Sequence, residues 1–158
     1  EKYKNEMHEL YLAIANNAQL NLVNVDPNYH LSLKAHLEDR IHIRGYFKND
    51  ALVGFFTLLH NGKTLDAGYL GIRTEENRRH QIYLNMLYDM IAYGIKHNMK
   101  EIVFARTALE IKSSVGAVPE EKFLFLRHQN PLWHKLSKEF LKAFNSPPEW
   151  NQRHPFKG

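Results

Sequence analysis

The sequence predicts an α/β (α+β) fold built on one mixed sheet, an antiparallel meander followed by a parallel pair, with helices on both faces. Three observations carry that reading. Three strand-like runs, Ile41–Tyr46, Ala51–His60 and Thr64–Ile72, follow one another across the short turn signals Asn49-Asp50 and Asn61-Gly62, which is the pattern of an antiparallel meander. A helix-length amphipathic segment then separates Thr64–Ile72 from the apolar run Glu101–Ala105. A connection that long is what parallel strands need, because a tight hairpin joins only antiparallel ones. Finally, Arg73–Gln81 and Arg106–Lys112 both leave the C-terminal end of a strand, where ligands of open α/β sheets bind.

Taken in order, Glu1–Ala15 places Tyr3, Met7, Leu10, Tyr11 and Ile14 near helical spacing, with Asn16 and Asn17 as terminators. Asp26-Pro27 sets a capping residue before a proline at the first helical position of a helix reaching about Glu38, with Tyr29, Leu33 and Leu37 on one face. After the meander, Asn77–His97 reads as the longest helix. Its stripe is Leu84, Leu87, Tyr88, Ile91 and Ile95, widened by Met86 and Met90. Glu101–Ala105 is a short buried strand, Thr107–Ser114 a helical turn or bend ended by Gly116, and Lys122–Arg127 another strand. Asn130-Pro131 opens a last helix through Phe144, which Pro147-Pro148 stops. Residues 1–146 are expected to form one domain and residues 147–158 a tail. A start at Glu1, already helical in pattern, suggests a part of a longer protein carrying an additional domain.

Composition narrows the function classes. The chain has 158 residues, enough for one hydrophobic core, and no cysteine. That excludes disulfides, thiolate metal sites and a cysteine nucleophile, and it fits a cytoplasmic setting. The longest apolar run, Leu52–Leu59, is too short to span a bilayer. Net charge is +4, and from Lys122 to Gly158 seven Lys and Arg face two Glu. Such a segment suits a nucleic acid or another anion, or simply forms a solvated helix face. The ten histidines have no metal-ligand spacing: His30, His36 and His42 recur every six residues, and no His-x-x-x-His occurs on a helix. No metal is expected. No Gly-x-Ser-x-Gly and no phosphate-binding loop occurs.

Two segments carry the chemistry. In Arg73–Gln81 the start of a helix meets Arg73, Arg78, Arg79 and His80, and free amides there favour an anion. A basic, solvated helix start is the plain alternative. In the second segment Glu110, if buried, suits a general base, Lys112 a carboxylate or phosphate, and Arg106 a two-pronged grip on an anion. An internal ion-pair cluster pinning the connection is the plain alternative there. Tyr69 and Tyr83 are either packed aromatics or proton donors.

The order α-α-β-β-β-α-β-(α)-β-α over residues 5–145 resembles the acyl-CoA N-acyltransferase (GNAT) superfamily, one strand short of its usual set. The runs Asp66–Ile72, Met90–Ile95 and Arg106 through Lys112 to Gly116-Ala117 look like its acetyltransferase-like and Fem-type branch. The resemblance implies a splayed parallel pair, an acyl-CoA or CoA donor, and a small-molecule amine acceptor. It places Lys112 and Arg106 at the family's Lys and Arg positions, and together with the reading of the residues it gives as candidates Gly71, Ile72, Arg73, Arg78, Arg79 and Gln81 at the donor, Arg106 and Thr107 at the acceptor, and Glu110, Lys112 and Tyr69 in catalysis. Aligned on Arg78, Gln81 and Tyr83 stand where the family has small residues that admit a phosphate to the backbone. The expected function is acyl transfer from an acyl thioester to an amine. One alternative is a bacterial Fem-type transferase, drawing on aminoacyl-tRNA for a peptidoglycan precursor. The other is a binding module without activity.

Overall fold

The computed structural model describes residues 2–17, 21, 23–122, 125, 127–144 and 150–156, the last helix as backbone from 138 onward. The chain forms two compact units, Glu1–Thr107 and Ala108–Gly158.

The first unit opens with α1 (Lys4–Ala15) and α2 (Tyr29–Leu37), the latter running into a 3-10 turn over Glu38–Arg40. Asp26 caps differently from the expectation. Its Oδ1 accepts from the Asn28 amide at 2.8 Å and its carbonyl from Tyr29 at 2.9 Å, so the helix starts two residues after Pro27. The meander follows as β1 (Ile41–Lys48), β2 (Ala51–Asn61) and β3 (Thr64–Ile72). Asn49 and Asp50 both have positive φ, 48° and 60°, which matches the right-handed twist of a two-residue hairpin. α3 (Thr74–His80), α4 (Ile82–Lys96) and β4 (Glu101–Val103) complete the unit.

The sheet order is β1-β2-β3-β4, antiparallel for the first two pairings and parallel for β3 with β4. The expected mixed sheet is therefore present. β2 is paired with β1 on one side and β3 on the other, and Leu52 to Leu58 is buried on both faces. On one face Phe55 joins Leu10, Tyr11, Ala15 and Val25 from the α1–α2 layer. On the other face α4 buries Ile82, Met86, Leu87, Met90 and Gly94. That stripe is rotated from the expected one: Tyr88 and Ile95 are 53% and 73% exposed. The two methionines and a glycine make the contact instead. A Cβ on Gly94 would lie 2.7 Å from Ile102 Cδ1, so the bare backbone lets α4 settle onto β4.

The single helix expected over Asn77–His97 is two helices. Gln81, in the left-handed region at φ 49°, separates α3 from α4. In the second unit, α5 (Leu109–Ser113) and α6 (Pro131–Phe144) are helical. The strand expected over 122–127 falls on residues 123, 124 and 126, which lie outside the described residues, and its described members are in no strand. Residues 147–149 of the expected tail also lie outside them. Residues 150–156 are irregular but fastened within their unit: the Arg153 amide donates to Ser113 Oγ at 2.9 Å.

Gly71 marks where α1 comes closest to the sheet. A Cβ there would lie 2.6 Å from the Leu10 carbonyl carbon and 2.6 Å from Phe55 Cε1. Because the obstacle is partly backbone, Gly71→Ala is expected to destabilise the chain by about 2 kcal/mol or more. Denaturant unfolding measures it, and Leu10→Ala in the same chain should not restore the loss.

Candidate functional site

The parallel pairing is short. Only Thr64, Leu65 and Asp66 of β3 lie opposite β4 residues, namely Glu101, Ile102 and Val103. From Ala67 to Ile72, β3 has no strand on that side among the described residues. An edge of this kind offers a row of main-chain donors and acceptors to any extended amide that lies along it.

The strand-to-helix segment is built from different parts than its composition suggests. The Arg73 amide donates to the Val53 carbonyl at 2.9 Å, so it belongs to the sheet. Gly71 and Ile72 are buried, and Gly71 serves the approach of α1. α3 begins at Thr74 with Glu75 and Glu76 in its first turn, where carboxylates already complement the helix dipole. A pocket of about 280 Å³ beside it is lined by Glu6, Glu9 and Glu75 against a single cation, Arg73. Glu76 is tied to Lys48 at 2.7 Å, and this bond holds its carboxyl below the usual range.

Arg78, Arg79 and His80 lie in the last turn of α3, not in a first turn. There they complement the negative end of the dipole, which accounts for them without a bound anion. At the start of α4, Asn77 Oδ1 accepts from the Tyr83 amide at 2.8 Å, and the Gln81 amide donates to the Asn77 carbonyl at 2.8 Å. Burial pushes the Tyr83 hydroxyl up to about 12. The turn thus holds the Gln81 and Tyr83 amides and places carboxylates nearby, and the β3 edge, unpaired among the described residues, suits an extended amide chain.

Tyr69, on β3, sits edge-on to Tyr11 and Tyr29, each with centroids 5.4 Å away. Arg106 and Thr107 are exposed at the end of the first unit. In the second unit Glu110 is exposed and pairs with Arg153 at 2.7 Å, so the burial expected of a general base is missing. Lys112 is 6% exposed, and burial brings its ammonium down to about 8. A group in that range changes charge near neutral pH and can exchange a proton.

Sequence reasoning missed His30. It is 5% exposed, rests edge-on against Phe55 at 5.2 Å, and has no hydrogen bond to either ring nitrogen among the described residues. Burial, with a smaller contribution from His8, lowers its pKa. The only signal in the sequence was its place in an otherwise apolar helix face. Tyr93 was also unmarked. It stacks on His42 and His97, with centroids 4.3 and 3.9 Å away, and bonds His60 Nε2 at 2.9 Å. Among the described residues no group of three His, Asp or Glu is placed to hold a metal ion. None of the described helices is long and apolar enough to cross a membrane.

The lowered Lys112 pKa has a thermodynamic sign. Between about pH 8 and the ordinary lysine value of 10.5 the unfolded chain binds more protons than the folded one, so stability rises with pH through that window. Below about pH 8 the full penalty remains. Lys112→Met is therefore expected to abolish that rise, leaving a flatter stability profile between about pH 8 and 10.5. Unfolding curves across pH 7–10.5 measure it, and parallel curves would refute the assignment.

No protein-family model matches the chain, and no curated protein matches it either. Solved structures do. A predicted acetyltransferase from Clostridium acetobutylicum, crystallised with acetyl-CoA, superposes with a TM-score of 0.63 at 11% identity, over 82% of this chain and 94% of that one. An acetyltransferase of Trypanosoma brucei superposes with a TM-score of 0.59, also at 11% identity, over 77% of this chain and 89% of that one. The chain has the GNAT-type fold of these acetyltransferases.

Proposed function

We propose that the protein transfers an acyl group from an acyl thioester to an amine by direct attack. The observation that carries this reading is the main-chain edge of β3 from Ala67 to Ile72, which beyond a three-residue parallel pairing has no strand beside it among the described residues. The pantetheine arm of an acyl-CoA is a chain of amides, and it would lie along that edge as an added strand. The shared fold supports it, since one of the neighbouring structures holds acetyl-CoA.

In the reaction the amine nitrogen attacks the thioester carbonyl, the C–S bond breaks, and the amine's proton passes to the protein. Lys112 suits that proton better than Glu110, since its pKa of about 8 leaves a useful neutral fraction at physiological pH. Tyr69 would return a proton to the departing thiolate, and Arg106 and Thr107 would bind the acceptor. We also propose that residues 1–146 act as one functional domain, with 147–158 appended to it.

Two rival readings rest on their own observations. The basic segment Lys122–Gly158 favours a Fem-type enzyme that uses aminoacyl-tRNA. The carboxylates around Arg73 and the self-contained turn at Asn77 favour a module that binds without catalysing.

A thermal-shift series separates the three. Acetyl-CoA is expected to raise the melting temperature by mass action. If the β3 edge carries the affinity, S-acetylpantetheine, which lacks the diphosphate, should bind within about tenfold of acetyl-CoA, a difference of roughly 1.4 kcal/mol. No shift with either thioester, together with tRNA binding that falls steeply with salt, would transfer the assignment to the Fem-type reading. Silence with all three would favour the inactive module.

A further inference from the structure

At the opposite end of the sheet from Arg73, a second pocket opens between α1, α2 and β1. Its volume is about 350 Å³, at the small end for a ligand site. The strand register fixes its place: Ile41 pairs with Leu59, and Leu59 with Asp66 near the start of β3. It is therefore two strands across from the bare edge and at the other end of β3.

The lining has a consistent chemistry. Tyr3, Met7, Ile41 and Ile43 give an apolar wall. Lys4 and Lys34 are the charged groups, and no Asp or Glu lines the pocket. Lys4 Nζ donates to Asn28 Oδ1 at 3.0 Å, and Lys34 Nζ to the Glu38 carbonyl at 2.7 Å, which holds each ammonium in place with protons to spare. His30 also lines the pocket, one helical turn before Lys34 and on the same face of α2. It is the buried side chain whose ring nitrogens have no partner among the described residues. A polar group left so is costly, and an occupant that bonded it would offset that cost. Both nitrogens are covered, so a turn of the ring about its Cβ–Cγ bond is what would bring one of them to an occupant.

We propose that this pocket binds a small amphipathic carboxylate, such as a medium-chain fatty acid. Its head lies between His30 and Lys34, and its tail runs along Tyr3, Met7, Ile41 and Ile43. A cation is disfavoured by the two lysines. A fully hydrated anion such as phosphate is disfavoured by the apolar wall. No residue assigned to the acyl-transfer reaction lines the pocket, although the Tyr69 ring stands edge-on to His30 with centroids 6.2 Å apart.

Sodium octanoate is the probe, titrated into the whole chain without any thioester and followed by the imidazole resonances of His30. A saturable shift is expected at His30, with His36, exposed on the same helix, as the unmoved reference. Octanol should bind about tenfold more weakly for want of the charge-assisted bond, and octylamine should not compete. Lys34→Met, an exposed change that spares the core, should weaken octanoate about tenfold. The titration contains no thioester, so failure of this site and failure of the acyl-transfer reading are read separately. No saturable shift at His30, equal binding of octanol or octylamine, or undiminished binding by Lys34→Met would each overturn the proposal.

Discussion

The first unit depends on one constraint: β2 must be covered on both faces at once. Phe55, Phe56 and Leu58 have no exposed surface, and consecutive strand residues point to opposite sides. Neither helix layer can be lost without opening half of that strand to water. The layers approach closely because the sheet is bare where they touch it. Gly54 yields to Met86 and Ile82 of α4, and Gly71 yields to the Leu10 backbone of α1. Burying such a strand is favourable by about 25 cal/mol per Å² of apolar surface, the largest favourable contribution to the fold.

Much of this was legible in the sequence because it depends on period and punctuation. Alternation in the strands, turn residues at Asn49-Asp50 and Asn61-Gly62, and a long amphipathic connection before Glu101 suffice for a mixed sheet. The buried stripe of α4 was less legible. Periodicity weights Tyr88 and Ile95 by hydrophobicity, while the contact is decided by fit, which favours flexible Met86 and Met90 and the absent side chain of Gly94. The break at Gln81 left no mark, since neither Pro nor Gly interrupts Thr74–Asn85. There the local competitor is Asn77, whose side chain caps α4 from the turn before it.

The candidate site was legible by residue type and opaque by partnership. Glu110 looked like a base from its polar neighbourhood, yet its partner Arg153 comes 43 residues later and no local pattern announces it. Lys112, two residues on, is buried and Glu110 is exposed. Sequence spacing alone does not tell which of two neighbours faces inward on so short a helix. The same holds for His30, which burial and not position sets apart from His36 and His42. Arg78 and Arg79 illustrate the reverse case. Their charge drew attention to a helix start, but one left-handed residue turns that start into an end.

The junction of α3 and α4 has a consequence for how such a chain diversifies. Because Asn77 terminates one helix and initiates the next, the placement of Met86 and Met90 does not depend on what precedes the junction. Residues 74–80 are exposed or half-buried, with none in the core. Mutations at Glu75, Arg78 and Arg79 can accumulate there while Asn77 holds the junction and the scaffold underneath keeps its dimensions. Drift in recognition is thereby uncoupled from drift in foldability, which lets two proteins share an architecture at 11% identity.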